Sequence, residues 1–158
     1  MWLSNRRGFL LAALALAGCG FVPVNGVSSK SQMLRNTVLV HAPTTRVEFE
    51  LVRNLEVQLG QATSKLYDLR YKLNVDENII VVSAAQEINR LSLVGVLEYS
   101  LVDNDGMVLL SRTAKSFTGY SATGTTVATQ RSKRDACDRL MVILAKQVSN
   151  FLLTSDRP

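Results

Sequence analysis

Residues 67–75, YDLRYKLNV, alternate strictly between apolar and polar side chains, and this pattern restricts the fold more than any other part of the chain. In a strand, successive side chains point to opposite faces of the sheet. One face of this strand would therefore be apolar and the other polar, as is typical of antiparallel sheets with one face on a core. The apolar face comprises Tyr67, Leu69, Tyr71, Leu73 and Val75.

Further strands are predicted at residues 37–41, 79–82, 90–102 and 107–120. The segment Asp103-Asn104-Asp105-Gly106 joins the last two as a hairpin turn, because these residue types tolerate positive φ. Gly95 interrupts the apolar face of the 90–102 strand, which indicates either a bulge or a close backbone approach.

Two helices complete the predicted fold. Thr45 and Glu48 fit a capping box at the start of the first helix, and Gly60 ends it. Its apolar stripe is Val47, Leu51, Val52, Leu55 and Leu59, with Phe49 and Val57 outside the stripe.

A polar stretch, residues 121–135, leads into the second helix. The apolar face there is Ala136, Cys137, Leu140, Met141, Ile143, Leu144, Val148, Phe151 and Leu152. Asp135, Asp138, Arg139, Lys146 and Ser149 are expected opposite, and Cys137 is expected to be a packed core thiol.

These elements predict one α+β domain over residues 37–154. The expected architecture is a mostly antiparallel four-stranded sheet with two helices packed on one face, because each element must bury its apolar side against another.

The N-terminus has the pattern of an export signal. Arg6 and Arg7 precede an apolar run, residues 9–17, which is far shorter than the roughly 20 residues that span a membrane. Leu16-Ala17-Gly18-Cys19 resembles the lipobox of bacterial lipoproteins. That resemblance implies a signal peptide over residues 1–18, a lipid on Cys19 and a tether over residues 19–36. Gly20, in place of the Asp that often retains lipoproteins at the inner membrane, favours the outer membrane. Arg6-Arg7 also resembles a twin-arginine signal, so the export route stays open.

Charge and motif content limit the function classes. Without Arg6 and Arg7, 16 of the 18 basic residues remain against 13 acidic ones, an excess of +3. This is too mild for a nucleic-acid binder, which normally carries a concentrated basic stripe, although it suits an anionic lipid. The chain has one histidine, His41, and no Cys/His metal spacing, P-loop or nucleophile elbow. We therefore expect no enzyme activity, catalytic residue, metal or cofactor.

Beyond the anchor, the whole mature layout resembles the LPS-assembly lipoprotein LptE family. The resemblance rests on Cys19-Gly20-Phe21-Val22-Pro23, on Asn89-Arg90 before Glu98–Leu101, on the Asp103–Gly106 turn, and on Arg134–Ala136 with Ala145–Gln147 in the final helix. It implies a lipid-anchored protein on the periplasmic side of the outer membrane. Such a protein plugs the β-barrel LptD, assists barrel assembly and helps deliver lipopolysaccharide to the outer leaflet.

The resemblance also indicates where lipopolysaccharide would bind. Arg90 matches the family's basic position at the start of the long strand. Lys115, and Arg131 and Lys133 with Arg134, are further candidates by charge alone. Two alternatives stay open: a periplasmic auxiliary lipoprotein of an ABC-type lipid or solute transporter, and a structural envelope lipoprotein without cargo.

Overall fold

The structure is a computed structural model that describes residues 34–82, 88–122 and 125–155. The predicted signal peptide, Cys19 and most of the predicted tether lie outside the described residues. Four strands and two helices follow one another in the order β1, α1, β2, β3, β4, α2. They are β1 Val38–Val40, α1 Arg46–Leu59, β2 Tyr67–Val82, β3 Ile88–Asp103, β4 Val108–Ser121 and α2 Thr126–Thr154.

The four strands form one mixed sheet in the order β1-β2-β3-β4. β1 pairs with β2 in parallel, while the β2–β3 and β3–β4 pairs are antiparallel. A parallel pair needs a crossover connection, and α1 supplies it. Both helices pack against the same face of the sheet, so the predicted α+β architecture is confirmed.

The predicted division of residues 67–82 into two strands is wrong, because β2 is continuous over 16 residues. Asp76, Glu77 and Asn78 interrupt the apolar pattern but keep their pairing with β3. The side chain of Glu77 points toward the helices, where it receives hydrogen bonds from Tyr120 and Lys133. The strand can continue through the charged Glu77 because Tyr120 and Lys133, which are distant in the sequence, donate hydrogen bonds to its carboxylate.

The first helix begins and ends as the sequence predicts. Thr45 Oγ1 accepts a hydrogen bond from the Glu48 backbone N–H at 3.2 Å, and Glu48 Oε2 accepts one from the Thr45 N–H at 3.3 Å. Gly60 caps the C-terminus with φ 82°. The buried stripe is Leu51, Val52, Leu55 and Leu59, with Val47 partly buried. Phe49 and Val57 are exposed outside it.

Gly95 lies beneath α2, where the backbone approaches two buried leucines. A Cβ atom on Gly95 would lie 2.9 Å from Leu144 Cδ1 and 3.1 Å from Leu140 Cδ2. The bulges of this sheet lie elsewhere, at residues 79–82 and 101–102. Of the two predicted explanations for this glycine, the close approach is therefore confirmed.

The second helix is longer than predicted. Thr125 caps its start, so residues 126–135 of the polar stretch are helical. Ser149 is fully buried and Ile143 is exposed, in both cases contrary to the prediction. The helix α2 packs on α1 as well as on the sheet, and Met141, Ala145 and Ser149, spaced four residues apart, are all fully buried. Cys137 is half-buried against the core, and burial raises the pKa of its thiol.

The β3–β4 turn forms as predicted. Asp103 Oδ1 accepts hydrogen bonds from the backbone N–H groups of Asp105 at 3.0 Å and Met107 at 2.8 Å. Gly106 takes φ 84°, a conformation that L residues rarely adopt. The carboxylate of Asp103 therefore has a structural role in the turn.

Candidate functional site

The face of the sheet opposite the helices is left uncovered by the helices in the described part of the chain. We call it the open face. From β2 it presents Asp68, Arg70, Lys72 and Asn74, the polar set that the alternation predicted. Val94 and Val96 of β3 are half-buried in its middle, and β4 adds Lys115 and Phe117. The open face is therefore polar at the β2 side and mixed near β4.

Phe117 gives the open face an apolar contact point. Its side chain is 70% exposed although it lies beside Val94 on the neighbouring strand. Large exposed aromatic side chains are frequent anchors of protein interfaces, because they bury much area with few rotatable bonds. Lys115, two residues earlier on the same face, is exposed as well.

A cleft of about 580 Å³ lies between β4 and α2 at the end of the sheet that is distant from the β3–β4 turn. We call it the Arg90 cleft. Its walls are Arg90 of β3, Gly119–Ser121 of β4, and Ser132, Asp135 and Arg139 of α2. The residues around this solvent-open cavity therefore include two arginines and one aspartate.

Arg139 links α2 to the edge of the sheet. Its guanidinium pairs with the carboxylate of Asp135, one turn earlier, and its Nη2 donates to the backbone carbonyl of Gly119 at 3.3 Å. The sequence predicted only that Arg139 lies away from the apolar face. The i,i+4 spacing to Asp135 could have indicated the ion pair, but the contact with β4 depends on tertiary packing.

Lys133, one of the predicted ligand-binding residues, contributes to a cluster on the helix side of the sheet. Its ammonium forms an ion pair with Glu77 of β2, and the Tyr120 hydroxyl donates to the same carboxylate. The hydrogen bond from Lys133, followed by that from Tyr120, lowers the pKa of Glu77. Burial, followed by the hydrogen bond to Glu77, raises the pKa of Tyr120 to about 12.

Arg131 lies on a separate exposed surface of α2, together with Thr126, Val127, Gln130 and Arg134. Arg131 and Arg134 are three residues apart and thus neighbours on the helix. Two neighbouring guanidinium groups on an exposed surface attract anions by their own charge, so this surface favours anions.

The four basic residues predicted to bind lipopolysaccharide do not form one site. Arg90 pairs with Ser121 in the register, whereas Lys115 pairs with Val96, six residues farther along β3. At about 3.3 Å per residue, this separates the two side chains by roughly 20 Å along the strands. Arg131 and Lys133 lie on α2, and Lys133 is already paired with Glu77.

His41 lies just after β1, at an exposed position. Its ring meets that of Tyr71 edge to face, with 6.4 Å between the centroids. Burial, and to a smaller extent the charge of Glu48, raises the pKa of Tyr71 to about 12. His41 and Tyr71 therefore form an aromatic contact at the end of β1.

Within residues 34–82, 88–122 and 125–155, no helix is long and apolar enough to cross a membrane.

Comparison with known proteins relates the chain to solved structures alone. No family model matches the sequence, and no curated protein matches it significantly. A crystal structure described as a lipoprotein from Caulobacter crescentus CB15 has a TM-score of 0.66 and 19% identity, covering 78% of this chain and 92% of that one. A minor lipoprotein from Acinetobacter baumannii has a TM-score of 0.56 and 17% identity, covering 77% and 92%.

A third similar structure is rare lipoprotein B from Shewanella oneidensis, with a TM-score of 0.57 and 8% identity, covering 73% of this chain and 91% of that one. At such identities the likeness is one of fold. The described domain therefore has the fold of small bacterial lipoproteins.

Proposed function

We propose that this protein is a lipid-anchored lipoprotein on the periplasmic side of the outer membrane, where it occupies an LptD-type β-barrel, assists assembly of that barrel and helps deliver lipopolysaccharide. The open face is the observation that carries the proposal. Among the described residues no helix covers this sheet surface, and the domain has a fold shared with small bacterial lipoproteins.

The lipid anchor is supported by two independent features. Leu16–Cys19 follows Arg6-Arg7 and a short apolar run in the order of a lipoprotein signal. The fold, which the signal sequence does not determine, is that of lipoproteins. Two acyl groups linked to one cysteine would satisfy the requirement of two hydrophobic signals for stable anchoring.

The open face suits the interior of a barrel better than it suits lipid. Barrel interiors are polar, so Arg70, Lys72 and Asn74 could stay hydrated or find polar partners there.

The edges of the sheet support the same interpretation. In the described part of the chain β4 pairs only with β3, and β1 covers only Tyr67–Leu69 of β2. Unpaired edges are normally covered or bound by a partner.

Lipopolysaccharide recognition is supported by the Arg90 cleft. The planar guanidinium groups of Arg90 and Arg139 match the geometry of phosphate, which they can bind with two parallel hydrogen bonds. A phosphate oxygen would compete with the Asp135 carboxylate for Arg139, whereas Arg90 is exposed at the cleft wall. Arg90 is therefore the first contact that we assign to the anionic part of the ligand.

The test is capture of the partner from solubilised outer membranes, using the tagged full-length chain and mass spectrometry. We expect a β-barrel with the wild type and loss of that barrel with the double variant Arg70→Glu/Lys72→Glu. Lys146→Glu is the matched control, because Lys146 is exposed on α2 and distant from the open face. Capture of a periplasmic transporter in place of a barrel would support the alternative function. Equal capture by all three proteins would exclude the open face as the docking surface.

A further inference from the structure

We propose that one end of the domain lies against the membrane surface, with Leu66 and Met107 in the lipid headgroup layer. We call it the entry end, because the described chain enters the fold there at Leu34. It comprises residues 34–37, the α1–β2 loop 60–66 and the β3–β4 turn 104–107. The inference rests on the lipid anchor proposed above, but it concerns orientation and is tested separately.

Backbone hydrogen bonds hold the parts of the entry end together. The Asn36 N–H donates to the Leu59 carbonyl at 3.0 Å, and the Leu66 N–H donates to the Thr37 carbonyl at 3.0 Å. The Asn104 side-chain amide donates to the Lys65 carbonyl at 3.3 Å, which joins the turn to the loop. The chain entry, the loop and the turn therefore belong to one surface.

Large apolar side chains project from this surface. Met107 is 66% exposed and Leu66 45%, and Val108, the first residue of β4 beside the turn, is 57% exposed. Leu39 of β1 is also exposed, on the adjoining part of the open face. Exposed apolar residues that cluster at one end of a domain indicate a surface that is covered in the working protein.

The length of the chain before Leu34 favours the membrane as that cover. Fifteen residues, 19–33, connect the lipidated position to the described domain. A flexible linker of this length has a typical span of about 20 Å, and even full extension gives only about 50 Å. The opposite end of the sheet lies roughly 40 Å away, since Tyr67 and Ile79 of β2 are separated by 12 residue-to-residue steps of about 3.3 Å each. Presenting that opposite end to the lipid would require a nearly extended linker.

Charges at the entry end set the depth of the contact. Asp105 is exposed in the turn, and Lys65 is ion-paired with Asp68 at 3.2 Å. A carboxylate does not enter hydrocarbon, so Asp105 keeps the turn at headgroup level while the side chain of Met107 reaches the boundary. The entry end therefore contacts the lipid headgroups without entering the hydrocarbon layer.

The orientation of the domain on the membrane can be measured with a single tryptophan as the fluorophore. Trp2 is the only tryptophan, and it is removed with the predicted signal peptide. Met107→Trp would give a single fluorophore at the entry end, and Phe117→Trp would give its matched control on the same hairpin, with 66% and 70% exposure at the two sites. Each lipidated full-length variant would be reconstituted into phosphatidylethanolamine/phosphatidylglycerol vesicles, with and without brominated acyl chains.

We expect the brominated lipid to quench the residue 107 fluorophore roughly twofold, because tryptophan at the interface lies close to the acyl boundary. The fluorophore at residue 117 should be unaffected by bromine and fully accessible to aqueous acrylamide. Vesicle flotation reports anchoring independently of orientation. Flotation with equal quenching at both positions, or stronger quenching at 117, would overturn the inference and leave the anchor intact. Failure to float would overturn both.

Discussion

The contact between Gly95 and α2 leads to a quantitative prediction about the core. Gly95→Ala would place a methyl group 2.9 Å from Leu144 Cδ1 and 3.1 Å from Leu140 Cδ2, and both leucines are fully buried. Overpacking of this kind costs about 1–3 kcal/mol. Replacing glycine also restricts the unfolded chain, which returns about 0.4–1 kcal/mol. Subtracting the centres of the two ranges, we therefore expect a net loss of about 1.3 kcal/mol in the free energy of unfolding.

A double-mutant cycle identifies Leu144 as the source of this loss. Leu144→Ala alone should cost about 2–5 kcal/mol, because it leaves a cavity under α2. In the Leu144→Ala variant, the methyl group added by Gly95→Ala occupies space that the Leu144 side chain has left, although the Leu140 side chain is still close to it. Gly95→Ala should then cost about 1 kcal/mol less than it does in the wild type.

The assay is urea denaturation of the lipid-free chain, without its signal peptide and with Cys19→Ala. Leu59→Ala is the control, since Leu59 is equally buried but belongs to α1. Its effect should add to that of Gly95→Ala within about 0.3–0.5 kcal/mol, as is usual for sites without shared contacts. If Leu144→Ala and Leu59→Ala give the same coupling to Gly95→Ala, the helix does not pack on Gly95 as described.

Three further predictions test the anchor, an internal ion pair and the ligand site. Cys19→Ala should abolish metabolic labelling by a fatty-acid analogue, and equal labelling of wild type and variant would exclude this anchor. The lowered pKa of Glu77 means that its ionised form stabilises the fold at neutral pH, and that this stabilisation decreases as the pH falls below about 4.3. Glu77→Gln should therefore be less stable than wild type at pH 7 by thermal unfolding, with a difference that shrinks in acid; a difference independent of pH would contradict the ion pair with Lys133. Arg90→Asp should weaken binding of purified lipopolysaccharide roughly ten- to a hundredfold, and more than Lys72→Asp, with both variants confirmed as folded by circular dichroism. Equal losses that high salt erases would show that Arg90 is one charge among many.

Local patterns predicted the parts of the fold that local physics determines. The capping box at Thr45 and Glu48 closes within four residues, and the Asp103–Gly106 turn depends on its own backbone preferences. The alternation from Tyr67 to Val75 follows directly from one covered and one open face. In each case the interacting groups are neighbours in the sequence or along one element.

The errors arose where distant residues decide the outcome. Glu77 continues β2 because its partners come from β4 and α2, 43 and 56 residues away. Ser149 is fully buried in a helix that packs on both α1 and the sheet, and that packing is not indicated by any pattern within α2. The Arg90 cleft is likewise tertiary, since Arg90 and Arg139 line one cavity only after folding; the sequence named Arg90 by its resemblance to a family position, and Arg131 and Lys133 by charge alone.

The two proposed surfaces together define an axis for the molecule. The Arg90 cleft lies beside the Arg90–Ser121 pair, and the entry end lies beside the Tyr67–Asp103 pair at the other end of the strands. The separation of roughly 40 Å along the strands exceeds the apolar band of an outer-membrane barrel, which is about 25 Å tall. If the entry end rests on periplasmic headgroups, the remainder of the domain lies on the aqueous side, and the Arg90 cleft is held roughly 40 Å from the membrane surface. A ligand bound at Arg90 would then lie on the periplasmic side, so delivery to the outer leaflet requires the domain to leave this orientation when it occupies the barrel.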